Sequence, residues 1–523
     1  MNRSIRICAL LVVASWATGT LAGGPSLQPK MGEPLADLTP FGLLLFEDGK
    51  TQFTRVFTAE EGLGPAFNKE SCANCHNNPV GGSGTQTVVR FGIPGQKGGP
   101  FDPLESLGGS LLQKLSIDDD NCLEVVPDLP GIYQTTRITP SILGFGLAEA
   151  ITDADLSANA DPTDANSDGI SGAVHMVQPL EDPLGPLRVG RFGWKAQVAT
   201  LLTFSGGAGL NEMGITNDLV GTENAPNGDL DALAFCDQVA DPEDTGPVGR
   251  RWIDKITDFQ RFLAAPPQTP KSGMTGETVF NTMGCTACHI TSFTTGPAPQ
   301  AVLSGKVIKP YSDFLLHDMG LLFDGIPQGT AEEGEIRTPP LWGLRVRDPM
   351  LHDGTVAGGI DFADRVTQAI AAHGQSGSEA FESVDQFMNV ISGADKAAVI
   401  AFLDSLGRAE FDMDGDGEVD GEDRVPFDAC YSGPGSFYTP DDSCAISDLD
   451  EDGDVDCDDW QGFEAAYLRD VGVLPILSLT DMVNVLLGIE TDALKKCVGD
   501  MDDNGANDGR DIGPYIDAVL AGA

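Results

Sequence analysis

The sequence predicts a mainly α-helical chain: two compact domains carrying long loops, then a small acidic C-terminal region. Three observations predict it. Two Cys-x-x-Cys-His motifs stand at residues 72–76 and 285–289, each with a Phe five positions before its first Cys (Phe67 and Phe280). A proline-rich stretch, residues 263–270, separates them into different domains. After residue 411 an alternating-Asp pattern closed by Gly recurs three times. The 523 residues are 41% hydrophobic, enough to build cores, while 64 Gly and 34 Pro fit long ordered loops. A net charge of −48 argues against nucleic acid and anionic membrane surfaces and favours cationic partners or bound metal ions.

Taken in order, residues 1–22 read as an export signal, with Arg3 and Arg6, an apolar run over 7–17 and the small-residue site Thr20-Leu21-Ala22. The run is too short for a membrane span, and no later stretch is long enough either. The mature chain is therefore expected to be periplasmic or extracellular, or at the cell surface, with no transmembrane segment. The first domain is placed at 30–262 and the second at 271–409. Within the second, residues 278–285 read as an amphipathic helix, and 396–406, with Ala397, Ile400, Ala401 and Leu403 on one face, as the closing helix that packs on it.

The motifs set the chemistry. Two thiols a turn apart can add to the two vinyl groups of one porphyrin, and the adjacent imidazole then meets the iron, which is the attachment pattern of c-type haem. Cys72, Cys75 and His76 form one set; Cys285, Cys288 and His289 form the other. A redox Cys-x-x-Cys or half a zinc site are the competing readings of a single motif. The predicted class is thus two cytochrome-c-like haem domains with long loops, plus an EF-hand-like tail. At the sixth iron position a strong ligand gives electron transfer and an open face gives chemistry. Only His175, His317, His352 and His373 remain, and no His lies between 76 and 175, so the first haem is expected to be open or filled from far along the chain. Arg191, Lys195 and Arg337 are candidate partners for haem propionates, whose burial without a cation is costly.

Residues 40–409 resemble the di-haem c-type oxidoreductase and peroxidase family, relatives of bacterial di-haem cytochrome c peroxidases and of the di-haem enzyme that matures a tryptophan-derived quinone cofactor. The resemblance rests on Gly62-Leu-Gly-Pro-Ala-Phe-Asn68, Gly190-Arg-Phe-Gly-Trp-Lys-Ala196, Glu212-Met-Gly-Ile-Thr216, Leu316-His-Asp-Met-Gly320, Arg337-Thr-Pro-Pro-Leu-Trp342, Leu351-His-Asp-Gly354 and Ala372-His-Gly374, in that order. It implies that Glu212 is the carboxylate over the peroxide-binding haem, where one group can act as base and then as acid. Glu149 is a second, more structural candidate. It also implies that His373 joins His289 on the second iron, where the peroxidases use Met. No Met occurs between Met350 and Met388. A bis-His pair lowers the reduction potential relative to His/Met. Trp194 and Trp342 are placed between the haems or in the core, His317 and His352 at the pocket or propionates, and His175 is the weakest candidate.

Calcium is expected in two places. Asp164, Asn166 and Asp168 with Gly169 form the front half of an EF-hand-like loop, without the usual Glu at the twelfth position. The tail, 411–523, holds 29 acidic against 5 basic residues, a net of −24 and half the charge of the chain. There Asp412, Asp414, Asp416, Asp420 and Asp423 fill positions one, three, five, nine and twelve of a calcium loop; Asp448, Asp450, Asp452, Asp456 and Asp459 repeat it, as do Asp500, Asp502, Asn504, Asp508 and Asp511. Asp at position twelve resembles dockerin-type repeats, which anchor secreted proteins to a cohesin. The repeat spacing is irregular for such a pair, so a calcium-stiffened spacer is the alternative. Outside the motifs, and without Cys8, six cysteines suggest disulfides 122–236, 430–444 and 457–497.

These expectations combine into an exported di-haem c-type oxidoreductase, peroxidase-like, with an open first haem as reaction site and a second haem relaying electrons. Its expected cofactors are two covalent haem c groups and calcium. Its expected partners are an electron-donor protein or a small-molecule reductant, and a cohesin-like or cell-surface partner for the tail. The alternatives are a non-catalytic di-haem electron-transfer protein and a surface-anchored binding protein dominated by its tail.

Overall fold

The computed structural model describes residues 26–95, 100–245, 250–473, 475–502 and 504–521. Residues 1–22, read above as an export signal, lie outside them. Helix makes up 36% of the structure and strand 11%, so the mainly α expectation is corrected: irregular backbone is the largest class. The cause is legible in the Gly and Pro content, which interrupts apolar runs before they reach helical length. The chain divides into two units, Gln28–Glu418 with Tyr438–Ile446, and Val419–Phe437 with Ser447–Ala523.

The helices that build the cores of the first unit are α1 (Pro40–Thr54), α2 (Phe145–Glu149), α3 (Leu201–Met213), α4 (Trp252–Phe262), α5 (Thr275–Thr282), α6 (Phe362–His373) and α7 (Gly393–Ser405). α1 starts where it does because Thr39 Oγ1 accepts the Gly42 amide at 3.0 Å and Pro40 presets the first turn. It packs on α4 through Phe46, Phe53 and Phe259, with ring centroids 5.2 and 4.9 Å apart. The crossing requires Gly49: a Cβ there would stand 2.4 Å from the Lys255 carbonyl oxygen. α2 and α3 extend this core with Phe145, Leu147, Leu201 and Met213.

A second core is built on α5 and α7, the pairing expected for residues 278–285 and 396–406. Phe280 meets Phe402 at 5.5 Å, and Tyr311 meets Phe402 edge-on at 5.3 Å. α5 ends at Thr282, short of the expected boundary, and Cys285–Ala287 forms a separate 3-10 turn. Strands not anticipated from sequence carry functional side chains. β1 (Thr87–Gly92) lies between β2 (Leu111–Leu112) and β3 (Tyr133–Ile138) in an antiparallel sheet, with Val89 opposite both Leu112 and Thr136. β4 (Leu316–Asp318) pairs antiparallel with β5 (Glu335–Arg337), setting His317 opposite Ile336 and Leu316 opposite Arg337.

In the second unit, α8 (Gly421–Cys430) and α9 (Cys457–Val471) meet through Phe427, Trp460 and Phe463, with Phe427 and Phe463 4.7 Å apart. α9 opens on Asp456, whose carboxylate accepts the Asp458 amide while Asp459 accepts the Asp456 amide. Cys457 is bonded to Cys497 here, and in the first unit Cys122 is bonded to Cys236. Cys430 and Cys444 are each disulfide-bonded too. Among the described residues, the free thiols are Cys72, Cys75, Cys285 and Cys288. No helix among the described residues is long and apolar enough to cross a membrane.

Candidate functional site

The second motif opens into a cavity of about 220 Å³ lined by Cys285, Cys288, His289, His373, Arg337 and Trp194. His373 is the last residue of α6 and ties its Nδ1 to the Ala369 carbonyl one turn back, at 2.7 Å. His289 ties its Nδ1 to the Tyr311 carbonyl at 2.8 Å. The pattern assigns the proton to Nδ1 of both rings and leaves each Nε2 bare. Burial pushes His289 down to about 4 and lowers His373 as well, so both are neutral imidazoles, the form that binds a metal. Two guanidinium groups face the same cavity. Arg337 is 1% exposed and is held by the Gly193 and Thr338 carbonyls; Arg347 reaches the Pro340 and Trp342 carbonyls, and its Nε is buried with no partner. Among the described residues neither has a carboxylate within ion-pair distance. Burial pushes Arg337 down to about 9 and Arg347 down to about 10, and the two repel one another. Paired bare imidazoles, two thiols and two buried cations lacking anions fit a tetrapyrrole with carboxylate arms.

The first motif is brought beside Glu212. At the end of α3, the Glu212 carbonyl accepts the Asn68 and Lys69 amides at 2.8 and 3.3 Å, and its Oε2 accepts Asn68 Nδ2 at 2.8 Å. Met213 Sδ lies 3.9 Å from Cys72 Sγ. Burial raises the Glu212 carboxyl above its ordinary range, opposed by Asn68, Arg90 and Lys114. Arg90 lines a second cavity of about 570 Å³ with Gln113 and Asn211; its Nη1 donates to Ser110 and its Nε is buried without a partner. His76 is neutral, pushed down to about 4 by burial, and its buried Nδ1 makes no hydrogen bond.

The remaining predicted residues are distributed differently. Trp194 lines the first cavity, donates its indole N–H to the Ile138 carbonyl at 2.9 Å and meets His352 edge-on at 6.2 Å. His352 Nε2 is buried and unpartnered. Arg191 is bound by Asp153 and by the carbonyls of Val189, Ala148, Glu149 and Ile151. Lys195 pairs with Asp324 at 3.2 Å and donates to three carbonyls of residues 332–335. Both cations are therefore engaged by protein groups, whereas Arg337 and Arg347 are not neutralised. Glu149 accepts the Leu201 amide that begins α3 and pairs with Arg261 at 2.7 Å. His175 is satisfied on both nitrogens, by the Lys195 carbonyl and the Thr330 amide. His317 stands between Asp313 and Glu379, 2.8 Å from each, with Cys288 Sγ 3.6 Å away. Burial opposes its charge, but those three neighbours hold it well above the ordinary imidazole value.

Sequence reasoning missed Arg347, Asn68 and Tyr311. Asn68 sits inside a segment singled out above, next to the first motif, which could have marked it. The role of Tyr311 is played by its carbonyl, which no side-chain pattern reveals, and Arg347 looks like any arginine in a polar loop.

In the tail, one carboxylate oxygen from each of Asp448, Asp450 and Asp459 lies within 4.8 Å of the others, and Asp500, Asp502 and Asp511 repeat the arrangement. Asp459 and Asp511 are buried at 1% and 0% exposure. Burial, with neighbouring aspartates, pushes Asp459 up to about 7 and Asp448 up to about 6. The first repeat has Asp412, Asp414 and Asp416 in one unit and Asp420 and Asp423 in the other. In the 164–169 turn the Asp164 carboxylate accepts the amides of Asp168 and Gly169, and Asn166 Nδ2 donates to Asp168.

Residues 130–406 match the model of the family described as "Di-haem oxidoreductase, putative peroxidase". The chain belongs to the di-haem oxidoreductase family. Family membership implies haem cofactors and points to oxidoreductase activity. No curated protein matches the chain. Among solved structures, a MauG-like protein associated with microbial copper homeostasis is similar at 15% identity and a TM-score of 0.34, over 73% of this chain and 94% of that one. The hydrazine synthase of Kuenenia stuttgartiensis, pressurised with xenon, is similar at 13% identity and 0.31, over 77% of this chain and 100% of that one.

Proposed function

We propose that this di-haem oxidoreductase is an exported c-type peroxidase. In this reading Cys72, Cys75 and His76 hold the haem where oxidant reacts, and Cys285, Cys288, His289 and His373 hold the haem that relays electrons. One observation carries the reading: the two motifs have unlike surroundings, a buried protonatable carboxyl beside the first and a second bare imidazole beside the other. Bound haem would supply iron that exchanges electrons with donor and oxidant.

The chain's own groups do the rest. Asn68 Nδ2 occupies Glu212 Oε2, which leaves Oε1 to take the proton of an incoming hydroperoxide and return it to the departing hydroxyl. A carboxyl raised by burial holds that proton nearer neutral pH than an exposed one. The Tyr311 and Ala369 carbonyls keep His289 and His373 in the Nδ1-protonated tautomer. Trp194, fixed by the Ile138 carbonyl, walls the cavity. Export rests on residues 1–22. The tail is read as calcium-binding, with the 164–169 turn as a further calcium loop and a cohesin-like or cell-surface partner for the tail; an electron-donor protein or small reductant completes turnover.

Glu212→Gln should lower peroxide consumption by about 10²–10⁴-fold with haem content intact, the range of a lost general acid–base group. Unchanged turnover would remove Glu212 from the reaction. The bis-imidazole arrangement at the second motif equally suits an electron carrier, so the ferric optical spectrum decides. A high-spin band that responds to cyanide supports the peroxidase. Two low-spin haems, indifferent to peroxide in both oxidation states, support the carrier.

A further inference from the structure

Outside the motifs and the Asp-rich loops, a third kind of acidic cluster lies in the first unit. One carboxylate oxygen from each of Glu223, Asp241 and Glu243 falls within 4.8 Å of the other two. Among the described residues none of the three forms an ion pair with Lys or Arg. Glu223 is 7% exposed; its Oε1 accepts the Asn224 amide at 2.9 Å, and its Oε2 is buried with no hydrogen-bond partner. Thr216, fully buried, engages one oxygen of each of the others: its hydroxyl meets Asp241 Oδ1 at 2.8 Å, and its amide donates to Glu243 Oε2 at 2.8 Å. Each of those carboxylates keeps a second oxygen. A buried carboxylate this close to the half-buried Glu243 and the exposed Asp241 calls for a counter-ion or a proton.

We infer that Glu223, Asp241 and Glu243 form a binding site for a hard divalent cation, calcium in kind, held entirely by oxygen. Three carboxylates supply the charge, and backbone carbonyls or water complete the about six to eight oxygens that calcium takes. The adaptable loop geometry suits calcium better than the strict octahedron of magnesium. The location gives the cation a task. Thr216 ends the segment that begins at Glu212, Gly214 packs against Gly64 closely enough that a Cβ would lie 2.7 Å from its carbonyl oxygen, and Glu243 covers Gly62 in the turn before the first motif. A cation here staples the 214–217 turn to residues 241–244 and so positions Glu212 from behind, without touching it.

The rival is a shared proton: burial, with Glu243, Asp241 and Asp237 nearby, pushes Glu223 up to about 9 in the absence of metal. Calcium counting on the full-length, haem-loaded protein separates the two. With every tail loop intact, Glu223→Gln/Glu243→Gln should bind one calcium fewer than the parent by native mass spectrometry; equal stoichiometry overturns the proposal. Hydrogen exchange of the unaltered protein supplies a check that needs no variant. Peptides covering 214–224 and 237–245 should exchange more slowly with calcium than with chelator, and exchange indifferent to calcium overturns it as well. Neither measurement depends on peroxide turnover, so the site stands or falls independently of the proposed reaction.

Discussion

Burial decides what each ionisable side chain here can do. Glu212 is raised chiefly by burial, and the first group to oppose that rise is one neutral donor, Asn68. Asn68→Ala removes a group that favours the charged form, so the Glu212 value should climb further, and the limb of the pH–rate profile that it controls should move to higher pH. A profile that stays in place separates Asn68 from the tuning. His317 illustrates the opposite sign. Its folded value is raised, so its contribution to stability is fully present below the unfolded imidazole value of about 6.5 and is lost as pH rises through the folded value. His317→Gln should therefore be most destabilising in mildly acid buffer. The gap between its denaturant midpoint and the parent's should narrow as pH rises, whereas a constant gap would mean that folding leaves the His317 value unchanged. The two Cys-x-x-Cys-His motifs were plain in the sequence because spacing alone defines them. The groups that orient them were not, because accepting backbone carbonyls such as those of Tyr311 and Ala369 leave no side-chain pattern to read.

The α5–α7 pair was readable, since Phe280 and the apolar face of 396–406 carry a helical period. Its crossing is tighter than periodicity can convey. A Cβ at Gly276 would sit 1.9 Å from the Ala398 carbonyl oxygen, backbone that has little room to move. Gly276→Ala should cost about 1–3 kcal/mol by overpacking, read from chemical unfolding monitored at the haem. Gly276→Ala with parental stability would mean that the helices can slide apart. The sheet of β1 to β3 escaped notice for a different reason. Arg137 on β3 is buried against Asp324 at an ion-pair distance of 2.5 Å, so a charged residue occupies an inward position and the usual alternation is broken.

At the scale of the molecule, charge is concentrated in the tail, where the spacing of aspartates was legible before any coordinate. Close carboxylates such as the buried Asp459 and the half-buried Asp448 repel one another unless a cation or protons intervene. Chelation at neutral pH should lower far-UV ellipticity and loosen α9, and added calcium should restore both; ellipticity that ignores chelator would make the aspartates a solvated surface.

The two uncompensated guanidinium groups of Arg337 and Arg347 have a consequence for manufacture. Newly made polypeptide that has not yet received its prosthetic groups carries positive charge inside an apolar wall, with no carboxylate at ion-pair distance among the described residues. That strand–loop region should stay open to trypsin until carboxylate arms arrive. Resistance to cleavage between 337 and 347 then becomes a gauge of completed maturation, readable on a gel without any enzymatic assay.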